Sequence, residues 1–252
     1  MNTWILLRGL TREAGHWGRF PTTLRHEFPH ARAIALDLPG NGEFNAKTSP
    51  LNIFDMVAHC RAELAKRNVP PPYRLLALSM GGMVATSWAE HFPADIEVCV
   101  LINTSFAASS PLHERLRTRA WPALLQFLFT RNARDHELRV FNLTSRLAKA
   151  APTLIEEWIA IRQSRPVCRQ NALRQLIATA RFHAPSSAPV STLVLASAAD
   201  DVVDARCSQA IARRWNCAIA VHPTAGHDLP LDAGEWVARE IRAWLATVSV
   251  RN

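Results

Sequence analysis

Cysteine and long apolar runs are both scarce in this 252-residue sequence. The five cysteines are scattered without Cys-x-x-Cys or Cys/His ligand spacing, which argues against a disulfide framework and against a zinc site. No stretch approaches the about 18 uninterrupted apolar residues of a membrane span, and the segment Met1–Leu7 lacks the basic leader of a signal peptide. We therefore expect a cytoplasmic protein. No motif for a metal, nucleotide or flavin is present, so no cofactor is expected.

Short apolar runs alternate with helical periodicities along most of the chain. The strand candidates are Trp4–Leu7, Ala33–Asp37, Tyr73–Leu78, Glu97–Ile102, Ser191–Ala196 and Ala218–His222. Apolar residues recur at helical spacing over 53–64 and 236–245. Such alternation predicts an α/β fold, in which a mostly parallel sheet is covered by helices on both faces. The chain length suits one such domain with a sizeable core.

The sequence Ala-Leu-Ser-Met-Gly-Gly at residues 77–82 lies between a predicted strand and a helical stretch. Small residues two before and two after Ser79 permit a sharp turn that exposes a hydroxyl, as in a nucleophile elbow. Ala77 stands where glycine is usual. Short Ser/Gly strings are common in turns, so this motif needs support from elsewhere in the chain.

Two downstream fragments supply that support, and each follows a predicted strand. The sequence Ser-Ala-Ala-Asp-Asp-Val-Val at 197–203 offers an acid, and Thr-Ala-Gly-His-Asp-Leu-Pro at 224–230 offers His227 as a base. The ordinary alternatives are a turn or helix N-cap for the aspartates and a solvated loop position for the histidine. Because serine, acid and histidine follow in this order, we predict a catalytic triad.

Two predicted turns that precede Ser79 in the sequence add to the three motifs described above. They are Arg8-Gly9-Leu10 and the sequence Asp-Leu-Pro-Gly-Asn-Gly at 37–42. Together with the three downstream motifs, they make nearly the whole chain resemble the α/β-hydrolase superfamily, in its serine esterase branch. The later turn resembles the Asp-x-Pro-Gly-x-Gly turn of that superfamily. The earlier one resembles its His-Gly oxyanion loop, with Arg8 replacing the histidine. Arg8 either reaches the pocket or braces the loop.

The resemblance also implies an α/β-hydrolase fold with a cap. Between residues 105 and 189 the alternation stops, and helices are predicted at 122–128, 138–147, 154–161 and 173–180. This segment would be a helical cap inserted into a core formed by residues 1–104 and 190–252. We do not expect the antiparallel edge strands that many members carry before the oxyanion strand.

Aromatic side chains of the predicted cap are candidates for substrate contact. In the superfamily such a cap covers the elbow and shapes the acyl pocket. The candidates are Trp121, Phe141 and Trp158 of the cap and Trp17 of the core. Apolar residues at helical spacing more often hold helices together, so a purely structural role is the alternative.

The net charge of +8 resides in the predicted cap. Residues 106–189 contain thirteen basic side chains, twelve of them arginine, against five acidic ones, and the remainder of the chain is neutral. Such a field raises encounter rates with acidic partners, and the planar fork of arginine suits phosphate and carboxylate. Arg134, Arg139 and Arg146 are therefore candidate partner contacts. The alternative is a solvated arginine-rich surface.

The residue types at these positions define the expected chemistry. A neutral hydroxyl is a poor nucleophile, so Ser79 requires His227 as a general base. The spacing pattern of the family favours Asp200 over Asp201 as the acid that orients the imidazole.

The resemblance also implies where a transition state would be stabilised. It places the oxyanion donors at the main-chain N–H groups of Leu10 and Met80.

These expectations lead to an ester hydrolase of carboxylesterase type that acts through an acyl-serine intermediate. A thioesterase or a carbon-carbon bond hydrolase of this fold would use the same triad, and a non-catalytic ligand-binding relative would have a broken one. The chain's size and arginine-rich cap resemble the pimeloyl-carrier-protein methyl ester esterases of biotin synthesis. That resemblance implies a small-molecule or carrier-bound ester as substrate and the acidic acyl carrier protein as partner. Neither nucleic acid nor a membrane is expected as a partner.

Overall fold

The computed structural model describes residues 2–122, 130, 132–146 and 152–249. Its six strands are β1 (Thr3–Leu7), β2 (Arg32–Leu36), β3 (Tyr73–Leu78), β4 (Ile96–Ile102), β5 (Thr192–Ser197) and β6 (Ala218–His222). They form one sheet in the order β2-β1-β3-β4-β5-β6, and every neighbouring pair is parallel. The predicted α/β architecture is confirmed, and each strand begins and ends within about one residue of its prediction, as expected for buried apolar runs.

Helices connect the strands. They are α1 (Phe20–Glu27), α2 (Ile53–Lys66), α3 (Met80–His91), α4 (Leu112–Arg115), α5 (Ala133–Thr144), α6 (Pro152–Ser164), α7 (Arg169–Arg181), α8 (Ala205–Trp215), α9 (Leu229–Asp232) and α10 (Gly234–Ser249). Short 3₁₀ turns lie at Ala14–Trp17, Gly42–Phe44, Pro93–Asp95 and Thr118–Ala120. Side chains cap several helices: Asn52 accepts a hydrogen bond from the N–H of Asp55 at the start of α2.

The core has two layers, one on each face of the sheet. In β1, Ile5 and Leu7 pack into the layer that contains α2 and α3, whereas Trp4 and Leu6 pack into the layer that contains α1 and α10. Successive residues of a strand point to opposite faces, so a strand that is buried on both sides is apolar throughout. This explains why β1 appears in the sequence as a continuous apolar run.

In its described residues, the segment between β4 and β5 contains helices joined by turns and irregular stretches, and no strand. Helices α5 and α6 pack around a small separate cluster that includes Phe141 and Trp158. Helix α5 begins five residues before the predicted start, because Asn132 caps it by accepting hydrogen bonds from the N–H groups of Arg134 and Asp135. We call residues 103–191 the insert.

Parts of the insert lie outside the described residues. They include nearly all of the predicted helix at 122–128, and Arg131 and Lys149, which contribute to the basic count. Within the described ranges, no helix is both long enough and apolar enough to cross a membrane.

Candidate active site

Ser79 occupies a strained turn between β3 and α3. Its φ and ψ are 57° and −120°, a conformation that a residue with a Cβ rarely adopts. The main chain holds it there: the Ser79 N–H donates to the carbonyl of Ile102 at 2.9 Å, and the Thr104 hydroxyl donates to the carbonyl of Ser79 at 2.8 Å. Backbone strain of this kind, fixed by its neighbours, is typical of functional positions.

Two glycines allow the chain to approach Ser79 closely. A Cβ on Gly81 would lie 2.4 Å from the carbonyl oxygen of Leu7, so only glycine lets α3 start against β1. A Cβ on Gly9 would lie 3.6 Å from the Ser79 Oγ. The turn after β1 therefore runs alongside the serine side chain.

The two expected oxyanion donors are the main-chain N–H groups of the residues that follow Ser79 and Gly9. Met80 is the first residue of α3, where a main-chain N–H has no partner within the helix. Leu10 follows Gly9 and is partly buried against the core.

His227 and Asp200 form a buried pair. Their Nδ1 and Oδ2 atoms are 2.7 Å apart, and the residues are 7% and 1% exposed. The other carboxylate oxygen of Asp200 accepts hydrogen bonds from the N–H groups of Val202 at 2.7 Å and Val203 at 2.9 Å. The carboxylate is thus held in one orientation. An ionised carboxylate only accepts hydrogen bonds, so this contact assigns the proton to Nδ1 and leaves Nε2 able to accept one.

Asp201 faces the opposite way and pairs with Arg119 and Arg146 of the insert. Of the two adjacent aspartates, the structure therefore brings Asp200 to the histidine.

Sheet order brings these groups to one edge. Ser79 follows β3, Asp200 follows β5 and His227 follows β6, and these strands lie side by side with β4 in the sheet. The carboxyl ends of parallel strands meet at a single edge, which is where open α/β sheets place their ligands.

Asn103, at the end of β4, was not predicted from the sequence. Its φ of 45° is left-handed, and it is buried. Its amide donates to the Ser197 hydroxyl at 3.0 Å and to the His227 carbonyl at 2.8 Å, and its Oδ1 accepts from the Ser197 N–H at 2.9 Å. The residue thereby joins the strand that carries the acid to the loop that carries the histidine. Its sequence signal is a polar residue placed directly after a buried strand.

Asp232 likewise supports the histidine loop from outside the predicted set. Its Oδ2 accepts hydrogen bonds from the N–H groups of Gly226 and Arg146, both at 2.7 Å. The same carboxylate accepts a hydrogen bond from the Ser145 hydroxyl. It therefore links the turn before His227 to the end of the α5 region of the insert.

Arg8 braces the turn after β1, where an oxyanion donor is expected. Its guanidinium donates two hydrogen bonds to the carboxylate of Asp228, at 3.0 and 2.6 Å, and lies 4.9 Å from the ring centre of Trp17. Both charged side chains are 3% exposed. Of the two roles that the sequence leaves open for Arg8, these contacts favour bracing.

Three of the four aromatic candidates for substrate contact are buried in packing clusters. Trp17 packs in the core with Phe20. Phe141 and Trp158 meet edge to face inside the insert, with ring centres 5.7 Å apart. Their burial agrees with the alternative role given above, in which these side chains hold the structure together and do not contact substrate. Trp121 differs, because it is 46% exposed and donates from its ring nitrogen to the Leu116 carbonyl at 3.3 Å.

The three arginines named as partner contacts have different surroundings. Arg134 is exposed and pairs with exposed Glu156 at 2.7 Å. Arg139 is also exposed. Arg146 is half-buried and reaches Asp201.

A buried charge cluster, also absent from the sequence-based prediction, joins the turn after β1 to the insert. The Glu137 carboxylate contacts Arg12 at 2.6 Å, His136 at 3.2 Å and Arg162 at 3.7 Å. Burial opposes the charge on Glu137, but Arg12 and the hydrogen bonds from His136 and Arg12 outweigh it and lower its pKa to about 2. Arg12 also stacks over Trp158, 4.3 Å from the ring centre.

The parallel sheet, the serine on a strained strand-to-helix turn and the histidine-aspartate pair at the same edge define a protein of the α/β-hydrolase class. The model of the alpha/beta hydrolase family matches residues 4–240, and the chain belongs to that family.

Similar solved structures agree on the fold. An esterase from Thermogutta terrifontis shares 21% identity at a TM-score of 0.75, with 98% of this chain and 90% of that one covered. An esterase from Rhodococcus sp. ECU1013 shares 17% identity at a TM-score of 0.74, with 97% and 90% covered. A candidate non-heme bromoperoxidase from Mycobacterium tuberculosis H37Rv shares 20% identity at a TM-score of 0.75, with 98% and 93% covered. No curated protein matches the sequence. At these identities the likeness establishes the fold, and the activities named for the structures differ.

Proposed function

We propose that this protein is a serine carboxylic-ester hydrolase of carboxylesterase type, with Ser79 as nucleophile, His227 as general base and Asp200 as the acid that orients it. One observation carries the proposal. A hydroxyl on a strained turn shares a sheet edge with a buried His-Asp pair whose Nδ1 and Oδ2 atoms are 2.7 Å apart. Because Asp200 engages Nδ1, the ring's Nε2 is the atom that can take a proton.

Acylation follows from these roles. His227 Nε2 removes the proton of the Ser79 hydroxyl as Oγ attacks the ester carbonyl carbon, and the main-chain N–H groups of Met80 and Leu10 stabilise the resulting oxyanion. Collapse of this intermediate breaks the bond from carbon to the alkoxy oxygen. His227 returns the proton to the departing alcohol, and an acyl-serine remains.

Deacylation repeats the cycle with water. His227 removes a proton from water, whose oxygen attacks the acyl carbon, and it returns that proton to Ser79 Oγ as the bond from the carbon to Oγ breaks. The products are the carboxylic acid and the regenerated serine.

A serine-directed phosphonate probe tests this proposal. We expect the native protein to be labelled and Ser79→Ala to remain unlabelled at the same protein concentration. Ser87→Ala is the matched control, because Ser87 is a buried serine within α3 and away from the strained turn. If the native protein is not labelled, the chain is a non-catalytic ligand-binding protein instead.

For the substrate, we propose an ester carried by an acidic partner, such as a methyl ester on an acyl carrier protein. Support comes from the charge of the insert and from the exposure of Arg134 and Arg139. A carrier of this kind is cytoplasmic, and all five cysteines are free, as suits a reducing compartment. A panel of p-nitrophenyl esters of graded chain length, a carrier-bound methyl ester and an acyl thioester separates this substrate from a soluble ester and from a thioester.

A further inference from the structure

A cleft of about 420 Å³ lies beside the loop that carries Asp200 and Asp201. Three arginines of the insert line it, namely Arg117, Arg119 and Arg146. Residues 198–201, Pro223 and Thr224 complete the lining. Neither Ser79 nor His227 lines the cleft, whereas Asp200 does, so the cleft borders the candidate active site on the side of its acid.

The arginines outnumber the carboxylates available to them. Asp201 is shared, because one of its oxygens pairs with Arg119 and the other with Arg146. Arg117 donates to the main-chain carbonyl of Asp200 at 2.9 Å and lies 3.8 Å from the carboxylate of Asp204. The Asp200 carboxylate is already bound by the histidine and by two main-chain N–H groups. Among the described residues, Asp201 is therefore the carboxylate that Arg119 and Arg146 share, while Arg117 lies near Asp204 instead.

The arginines that line the cleft also have unused hydrogen-bond donors. A guanidinium carries five N–H donors in a fixed fork. Among the described residues, the buried Nε of Arg146 has no hydrogen-bond partner. The Arg119 side chain is 53% exposed, and Thr224, which also lines the cleft, is exposed. Exposed donors in a cleft lined by three arginines and two aspartates suit a small polyvalent oxyanion.

We propose that this cleft is a binding site for a phosphate group, held by the forks of Arg119 and Arg146 with Arg117 adding charge. Phosphate fits better than a carboxylate because its several oxygens and double negative charge match three cations, whereas Asp201 already supplies one carboxylate. Asp201 orders the two forks and competes with the ligand for them. The inference does not depend on hydrolase activity.

The first test measures binding of inorganic phosphate to the full chain by calorimetry, at constant ionic strength set with chloride. We expect saturable binding that Arg119→Gln weakens by about tenfold and Arg119→Gln/Arg146→Gln weakens further, as for the loss of charged hydrogen bonds. Arg134→Gln is the matched control, because Arg134 is an insert arginine paired with Glu156 rather than with a cleft residue. Absence of saturable binding, or equal loss in the control, would overturn the proposal.

Asp201→Asn gives a second and opposite readout. Removing the competing charge while keeping the side-chain shape should tighten phosphate binding several-fold, which a purely structural ion pair would not cause. Unchanged or weaker binding in a folded Asp201→Asn protein would contradict the competition between Asp201 and phosphate.

Two further ligands define the class of anion. Glycerol 3-phosphate that binds at least as well as inorganic phosphate identifies an esterified phosphate as the ligand, and weaker binding of the ester identifies free phosphate. Malonate that binds more tightly than either would overturn the assignment to phosphate.

Discussion

Arg8 and Asp228 form a two-pronged ion pair that joins the turn after β1 to the residue beside His227, 220 positions away in the chain. Both side chains are buried, so the pair is enclosed by protein and connects the two loops on which the proposed oxyanion donor and base depend.

Breaking this pair should cost considerable stability. Arg8→Met leaves the Asp228 carboxylate buried without its partner, and we expect the free energy of unfolding to fall by about 3–5 kcal/mol. The control is Arg74→Met, whose partner Glu97 is 38% exposed, so a loss of about 1 kcal/mol or less is expected. Urea denaturation measures both. Equal losses in the two variants would mean that burial does not increase the contribution of the Arg8 pair to the free energy of unfolding.

Ser79→Ala and His227→Ala should each lower kcat for ester hydrolysis by at least about 10³-fold, since triad members act as a unit. The double variant should be hardly worse than either single variant for the same reason. Initial rates with a p-nitrophenyl ester are the measurement. Near-normal turnover in either single variant would remove that residue from the mechanism.

The two adjacent aspartates should behave differently. Asp200→Asn keeps the shape but disfavours the imidazole tautomer that donates from Nδ1, and a loss of about 10⁴-fold in kcat is expected. Asp201→Asn disturbs contacts with Arg119 and Arg146 and should have a far smaller effect on kcat. The reverse order of effects would show that the acid is Asp201.

Glu137 should make the stability of the protein depend on acid pH. Its folded pKa of about 2 lies below the ordinary value of 4.5, so its ionised form stabilises the fold above pH 4.5 and this stabilisation is lost as the pH falls toward 2. Glu137→Gln should therefore be less stable than the native protein at pH 7, by about 3–5 kcal/mol, and the difference should shrink below pH 4.5.

Urea unfolding at a series of pH values measures the difference in the free energy of unfolding between the native protein and Glu137→Gln. Glu156→Gln serves as the control, since Glu156 is an exposed partner of Arg134 and should change stability little at any of these pH values. A difference for Glu137→Gln that does not change with pH would mean that the residue acts through packing alone.

Reversing the charge of the insert should discriminate between substrates. Arg134→Glu/Arg139→Glu is expected to lower kcat/KM for a carrier-bound ester by about tenfold or more, through slower association, while hydrolysis of small neutral esters is unaffected. The control is Arg213→Glu/Arg214→Glu, which reverses two exposed charges on α8, outside the insert. Equal effects of the insert variant on both substrates would argue against carrier docking.

The sequence predicts the sheet well because its strands are short apolar runs, whose length favours a strand over a helix, and most of these runs are buried in the structure. The turn at Ser79 is equally visible, since the small residues that permit it are neighbours in the chain. The choice of Asp200 over Asp201 came from the family pattern, and it agrees with the hydrogen bond that the structure gives to His227.

The supporting contacts were not predicted, for a physical reason. The partners of Arg8 and Asn103, and the Arg146 partner of Asp232, are far away in the chain, so no local spacing marks them. The aromatic residues of the insert illustrate the same limit. Helical spacing shows that Phe141 and Trp158 lie on one side of their helices, but it does not distinguish a ligand pocket from a neighbouring helix.

The ion pairs between the insert and the rest of the chain differ in how strongly salt should weaken them. They join Glu137 to Arg12, Glu13 to Arg165, and Asp201 to Arg119 and Arg146. Concentrated salt screens partly exposed pairs more strongly than buried ones, so the Asp201 contacts should weaken first and the Glu137 contacts last.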